Sequence, residues 1–89
     1  MIFFDWCINV YKEQCDNFSP QQDFVETIEK DFSFPKHHTS HYDIHNYLNM
    51  RQNGDASYFD GYEIETVFNF VWEQYEKYLF STEMYDWYL

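Results

Sequence analysis

Ile64, Val67, Phe68, Val71, Trp72, Tyr75, Tyr78 and Leu79 recur at the three- and four-residue spacing of an α-helix. They make one continuous apolar stripe, with Glu63, Glu65, Glu73 and Glu76 largely on the opposite side. A helix with such a stripe is stable only when other elements cover it, so the rest of the chain must supply matching apolar surface. That supply is mostly rings. The chain has 10 Phe, 9 Tyr and 3 Trp against 12 Ile, Leu and Val, and Ala56 is its one alanine. Bulky aromatic side chains must therefore fill the spaces between helices. No segment alternates at the two-residue period of a strand over a useful length, and no repeat is present. The expected class is all-α, and at 89 residues one core is expected.

The remaining helices are read from their caps and periods. Phe3, Phe4, Trp6, Cys7, Val10 and Tyr11 predict a first helix over Phe3–Gln14, followed by a loop through Phe18. Ser19-Pro20-Gln21-Gln22 is a helix start: Ser19 as N-cap, Pro20 in the first helical position, and Gln22 closing a capping box. The second helix is expected over Pro20–Asp31, burying Phe24, Val25 and Ile28. Phe34 precedes Pro35 and is pushed out of helical geometry, so Phe32 and Phe34 are expected to plug the core beneath a loop. Ser40 with Asp43 opens a third helix over His41–Met50, with Ile44, Tyr47 and Leu48 inward. A turn is expected at Asn53-Gly54-Asp55, then one short helical turn over Asp55–Asp60 stopped by Gly61. The apolar and acidic tail, residues 80–89, is set apart from a domain over 1–79 and either folds back or projects as a recognition segment.

Asp31-Phe32-Ser33-Phe34-Pro35-Lys36, then Thr39, Tyr42 with Ile44, and Tyr47-Leu48 resemble the signature of the YozE family of small bacterial proteins. Phe3, Phe4 and Trp6 match its aromatic opening, and Ala56-Ser57-Tyr58-Phe59, Phe68, Trp72 and Tyr75 extend the resemblance across most of residues 2–79. The segment between Tyr58 and the last helix, the high acidity and the tail from Phe80 depart from the pattern. The resemblance implies a compact SAM-like (sterile-alpha-motif-like) bundle of four to five short helices with a longer C-terminal helix. It implies no catalytic residues. Such bundles serve elsewhere as protein-interaction or nucleic-acid-binding modules, and fold alone does not choose between those roles.

Charge narrows the choice. Net charge is -11, and the five Lys and Arg residues are too few to replace counterions along phosphates, so direct nucleic-acid binding is not expected. No apolar run approaches the ~20 residues that cross a bilayer. Met1-Ile2-Phe3-Phe4-Asp5 lacks the basic leader and small-residue cleavage site of a signal peptide, so a cytoplasmic location is expected, and the family resemblance implies a bacterial host cell. Cys7 and Cys15 lie about 12 Å apart along a helix, too far for a disulfide, and are expected as buried or half-buried free thiols. His41 and His45 share a helical face, and His37 or His38 could add a third zinc ligand. Tyr42, however, stands where a zinc hydrolase needs its glutamate, and the histidines are expected on a solvated surface. No cofactor is expected. The carboxylates are expected as solvated charges, since nothing suggests the cleft that a catalytic pair requires.

Residues 53–89 hold eight acids against one base, Lys77, and carry -7 of the net charge. Such a field steers a small domain towards basic surfaces, and exposed rings beside the acids supply anchors. Acidity also serves to keep a ring-rich chain in solution. The functional expectation is a non-enzymatic protein-binding module that engages a basic protein surface through Asp60, Glu63, Glu65, Glu73, Glu76, Tyr85, Asp86 and Trp87. In its most specific form it is a mobile-element-encoded inhibitor that mimics DNA against a defence or DNA-processing protein. The alternatives are a SAM-like nucleic-acid-binding domain using Lys30, Lys36, His37 and His38, a generic adaptor domain, and a metal-responsive structural protein built on the histidines. Monomer and dimer are both left open.

Overall fold

The computed structural model describes residues 1–37, 40–59 and 63–87, with backbone alone for 82–87. Among these residues the chain is helical and contains no strand. The first rod runs unbroken as α1 (Phe3–Trp6), a π-helical stretch (Cys7–Tyr11) and α2 (Lys12–Gln14), within the expected bounds. The wide turn has a packing reason. Phe3, Cys7 and Tyr11 are buried and spaced four apart. In an α-helix such a row drifts by about 40° per step, and under-winding offsets that drift. It also brings Trp6 and Tyr11, five residues apart, into a stack with centroids at 4.8 Å and planes at 21°.

Helix α3 (Pro20–Lys30) starts as its caps require, with Ser19 Oγ accepting from the Gln22 N–H at 3.2 Å. The capping box is displaced by one residue. Gln22 Oε1 accepts from the Phe18 N–H at 2.8 Å, and the Ser19 N–H instead donates to the Asp16 carbonyl. Phe18 is thereby held at φ 65° with its ring 94% exposed. The helix ends at Lys30, and Asp31 is already extended. Of the two phenylalanines expected to plug the core, only Phe34 does so; Phe32 is 94% exposed. The cause is the tight turn closed by the Phe34 N–H on the Asp31 carbonyl, which leaves Phe32 at its outer corner.

Helix α4 (His41–Gly54) is capped by Ser40 Oγ and runs four residues past the expected end at Met50. Asn53 and Gly54 continue it, and the turn begins at Asp55, whose Oδ1 accepts from the backbone N–H and the hydroxyl of Ser57. Residues 55–59 are turns rather than the expected helical turn, with Phe59 buried. The expected stop at Gly61 lies outside the described residues.

Helix α5 (Ile64–Trp87) crosses the position where a separate tail was expected to start. It packs against α1, α3 and α4 and buries Ile64, Val67, Phe68, Val71 and Tyr75. Phe3 is the hub of the core: its ring meets Phe68 at 5.7 Å and Tyr75 at 5.3 Å, both edge to face, and Trp72 at 5.0 Å. Each such ring pair contributes about 0.5–1.5 kcal/mol beyond area burial, in a core where rings stand beside buried aliphatic residues such as Ile28, Ile44 and Leu48. The result is an all-α bundle whose longest helix lies at its C-terminal side.

Candidate functional site

The outward side of α5 carries the expected acids. Glu63, Glu65, Glu73 and Glu76 are all exposed, and their contacts with the rest of the chain are peripheral. Glu65 meets His45 Nε2 at 3.1 Å, Glu73 meets Lys77 at 3.6 Å, Glu76 accepts from Trp72 Nε1 at 2.5 Å, and Glu63 accepts from the Thr66 hydroxyl at 3.5 Å. Lys77 is the one Lys or Arg among these contacts, and exposed pairs of this kind are worth about 0–1 kcal/mol, so little in the described chain offsets this group of acids. Glu73, Glu76, Lys77, Phe80 and Ser81 line an open cleft of about 540 Å³, with Phe80 65% exposed. Asp60 lies outside the described residues. Tyr85, Asp86 and Trp87 belong to the α5 backbone, and their side chains lie outside the described ones.

The histidines differ from expectation. His41 and His45 are half-buried between α4 and α5 rather than solvated. Their rings stack at 5.8 Å, and His41 also stacks on Phe68 at 4.9 Å and meets Asn69 Oδ1 at 2.9 Å. Both imidazoles thus act as interhelical packing groups with polar edges turned to α5. His37 is exposed, and among the described residues no three His, Cys, Asp or Glu side chains form a metal-binding group. Cys7 is buried and Cys15 half-buried, both free. Burial, with a smaller contribution from Cys15, pushes the Cys7 thiol well above its ordinary range, which suits packing rather than nucleophilic chemistry.

A second centre was missed by sequence reasoning. Asp31 is buried at the C-terminal end of α3, where Oδ2 accepts from the Tyr47 hydroxyl at 2.6 Å and the Tyr58 hydroxyl at 2.8 Å. Oδ1 accepts from the Ser33 N–H at 3.0 Å, and Arg51 Nε stands 3.5 Å from Oδ2 with its guanidinium over the Tyr58 ring. One carboxylate so joins α3, the loop after it, α4 and the turn before α5. Burial raises its affinity for a proton, but the bonds from Tyr47, Tyr58 and Ser33, with the Arg51 charge, outweigh that and hold it below the usual carboxylate range. Burial and the same bond push Tyr47 up to about 12. A shallow cleft of about 240 Å³ lined by Thr27, Lys30, Asp31, Arg51 and Tyr58 opens beside this group.

Asp31, Tyr47 and Tyr58 are among the residues that carry the family resemblance, and the fold brings them to one point. A family model described as the YozE SAM-like fold matches residues 3–77. The chain belongs to that family. Its match spans the whole of α1, α3 and α4 and ends within α5, so the YozE-like portion includes both Glu73 and Glu76. No curated protein and no solved structure matches the chain. Among its described residues no helix is long and apolar enough to cross a membrane.

Proposed function

We propose that this YozE-like chain is a non-enzymatic protein-binding module that presents the outer face of α5 to a basic surface on another protein. The observation that carries this reading is the set of exposed, largely uncompensated carboxylates Glu63, Glu65, Glu73 and Glu76 on and just before one helix. The cleft that Glu73 and Glu76 share with the exposed Phe80 adds an apolar contact of the kind that anchors interfaces. The field speeds encounter with cationic partners, and the ring supplies desolvation energy. In the narrower form of this proposal the partner is a DNA-processing or defence protein whose nucleic-acid site is occupied by these carboxylates.

The test is charge reversal at Glu63, Glu65, Glu73 and Glu76 to Lys, with affinity for a captured partner measured at low and high salt. Binding should weaken by at least about tenfold and lose most of its salt dependence, while helical circular dichroism persists. Unchanged affinity would remove the proposal. If the partner is captured free of nucleic acid, and DNA then competes with the chain, the narrower form stands; simultaneous binding of both removes it.

A further inference from the structure

The turn after α3 exposes an aromatic ring that the fold has no use for. Phe32 is 94% exposed, yet the backbone on either side of it is fixed by the buried Asp31, through the Ser33 N–H on Oδ1 and the Phe34 N–H on the carbonyl. An exposed ring in a rigid frame loses little entropy on meeting a partner, the condition under which aromatic residues become binding anchors. The residue before Phe32, Asp31, lines a cleft together with Lys30 and Arg51. Lys30 is exposed, and no hydrogen bond or ion pair holds it among the described residues. Arg51 spends its Nε on Asp31 and its face on Tyr58, which leaves the terminal nitrogens of a side chain 42% exposed for an outside acceptor. Asp31 and Arg51 cancel as charges, so Lys30 sets the net sign and Arg51 adds directed donors suited to a carboxylate.

We infer that the Lys30–Arg51 cleft and Phe32 together form a docking site for an acidic peptide segment with apolar flanks, distinct from the α5 face. One carboxylate of the segment enters between Lys30 and Arg51, and a neighbouring apolar side chain covers Phe32. Asp23 and Glu26 line the adjoining cleft, which also contains Lys30. A continuous polyanion would run from Lys30 into like charge, so a short, discrete acid is favoured over nucleic acid.

The experiment is a fluorescence-anisotropy titration of the full chain with a labelled peptide of alternating Glu and Leu, run beside a single-stranded oligonucleotide of equal charge. Saturable binding of the peptide is expected, weakened about tenfold by Phe32→Ala and similarly by Lys30→Ala. Reversal of the α5 glutamates should not weaken it, which separates this site from the proposed function. Absence of peptide binding, equal binding by the Phe32→Ala chain, or tighter binding of the oligonucleotide would each overturn the inference. A concentration-dependent mass in sedimentation that Phe32→Ala abolishes would also overturn it, because the occupant would then be a second copy of the chain.

Discussion

Asp31 concentrates more of this fold into one side chain than any other polar residue described. Replacing it with Asn puts an amide against two hydroxyl donors and leaves Arg51 without its counter-charge. Asp31→Asn should cost about 2–3 kcal/mol in denaturant unfolding, and Tyr47→Phe only about 1 kcal/mol, because Tyr58 and Arg51 would still serve the carboxylate. The pH dependence follows from the same contacts. The folded chain releases the Asp31 proton more readily than the unfolded chain, whose carboxyl titrates near ~3.9, so this stabilisation is complete above that value and lost as pH falls through the lower folded one. Tyr47, raised to about 12, acts at the other end: its contribution is complete below the unfolded value near ~10 and lost as pH climbs towards about 12. Thermal unfolding of wild type and Asp31→Asn against pH checks the acid limb, which should shrink in the variant to the part left by Asp55, also held below the usual carboxylate range by its bonds from Ser57. Phe18 is a local liability of the opposite kind. A ring residue at φ 65° costs about 1 kcal/mol that asparagine largely avoids, so Phe18→Asn should raise the unfolding midpoint.

The helices were legible to the degree that their signals are local. Ser19 and Pro20 announce the start of α3, Ser40 that of α4, and the stripe from Ile64 to Leu79 the buried face of α5. Signals that depend on distant residues were not. Asp31, Tyr47, Arg51 and Tyr58 meet only after three elements dock, and nothing in their spacing announces it. Phe32 and Phe34 look equivalent in a stretch without period, and one turn hydrogen bond separates their fates. His41 and His45 share a helical face as expected, yet whether that face meets water or Phe68 is decided by where α5 lies. The π-helical stretch rests on a four-residue row that is as compatible with an ordinary helix until the core is assembled. Element ends therefore respond to cap mutations in a graded way. Ser19→Ala should cost about 1 kcal/mol, since Ser19 Oγ both accepts from the Gln22 N–H and donates to the Asp16 carbonyl at 2.6 Å. Ser40→Ala should cost less, because its bond to the Asp43 N–H is 3.4 Å long and its hydroxyl has no second partner among the described residues. Chemical denaturation of the two variants ranks them.

At the scale of the whole molecule, ring packing and charge are complementary. Rings from α1, α3 and α5 surround Phe3, so Phe3→Ala should cost about 3–5 kcal/mol and leave a loosened bundle by calorimetry. The same economy leaves the carboxylates of α5 with no interior role, whereas Asp31 has one. That division can be read chemically. Carbodiimide labelling of carboxyl groups, followed by mass spectrometry, compares the free chain with the chain bound to a captured partner. In the free chain Glu65, Glu73 and Glu76 should label fully and Asp31 hardly at all; in the complex the three glutamates should become protected while labelling at Asp5 and Glu13 is unchanged. Glutamates that label equally in both states, with protection elsewhere, would contradict the assignment of α5 as the binding face.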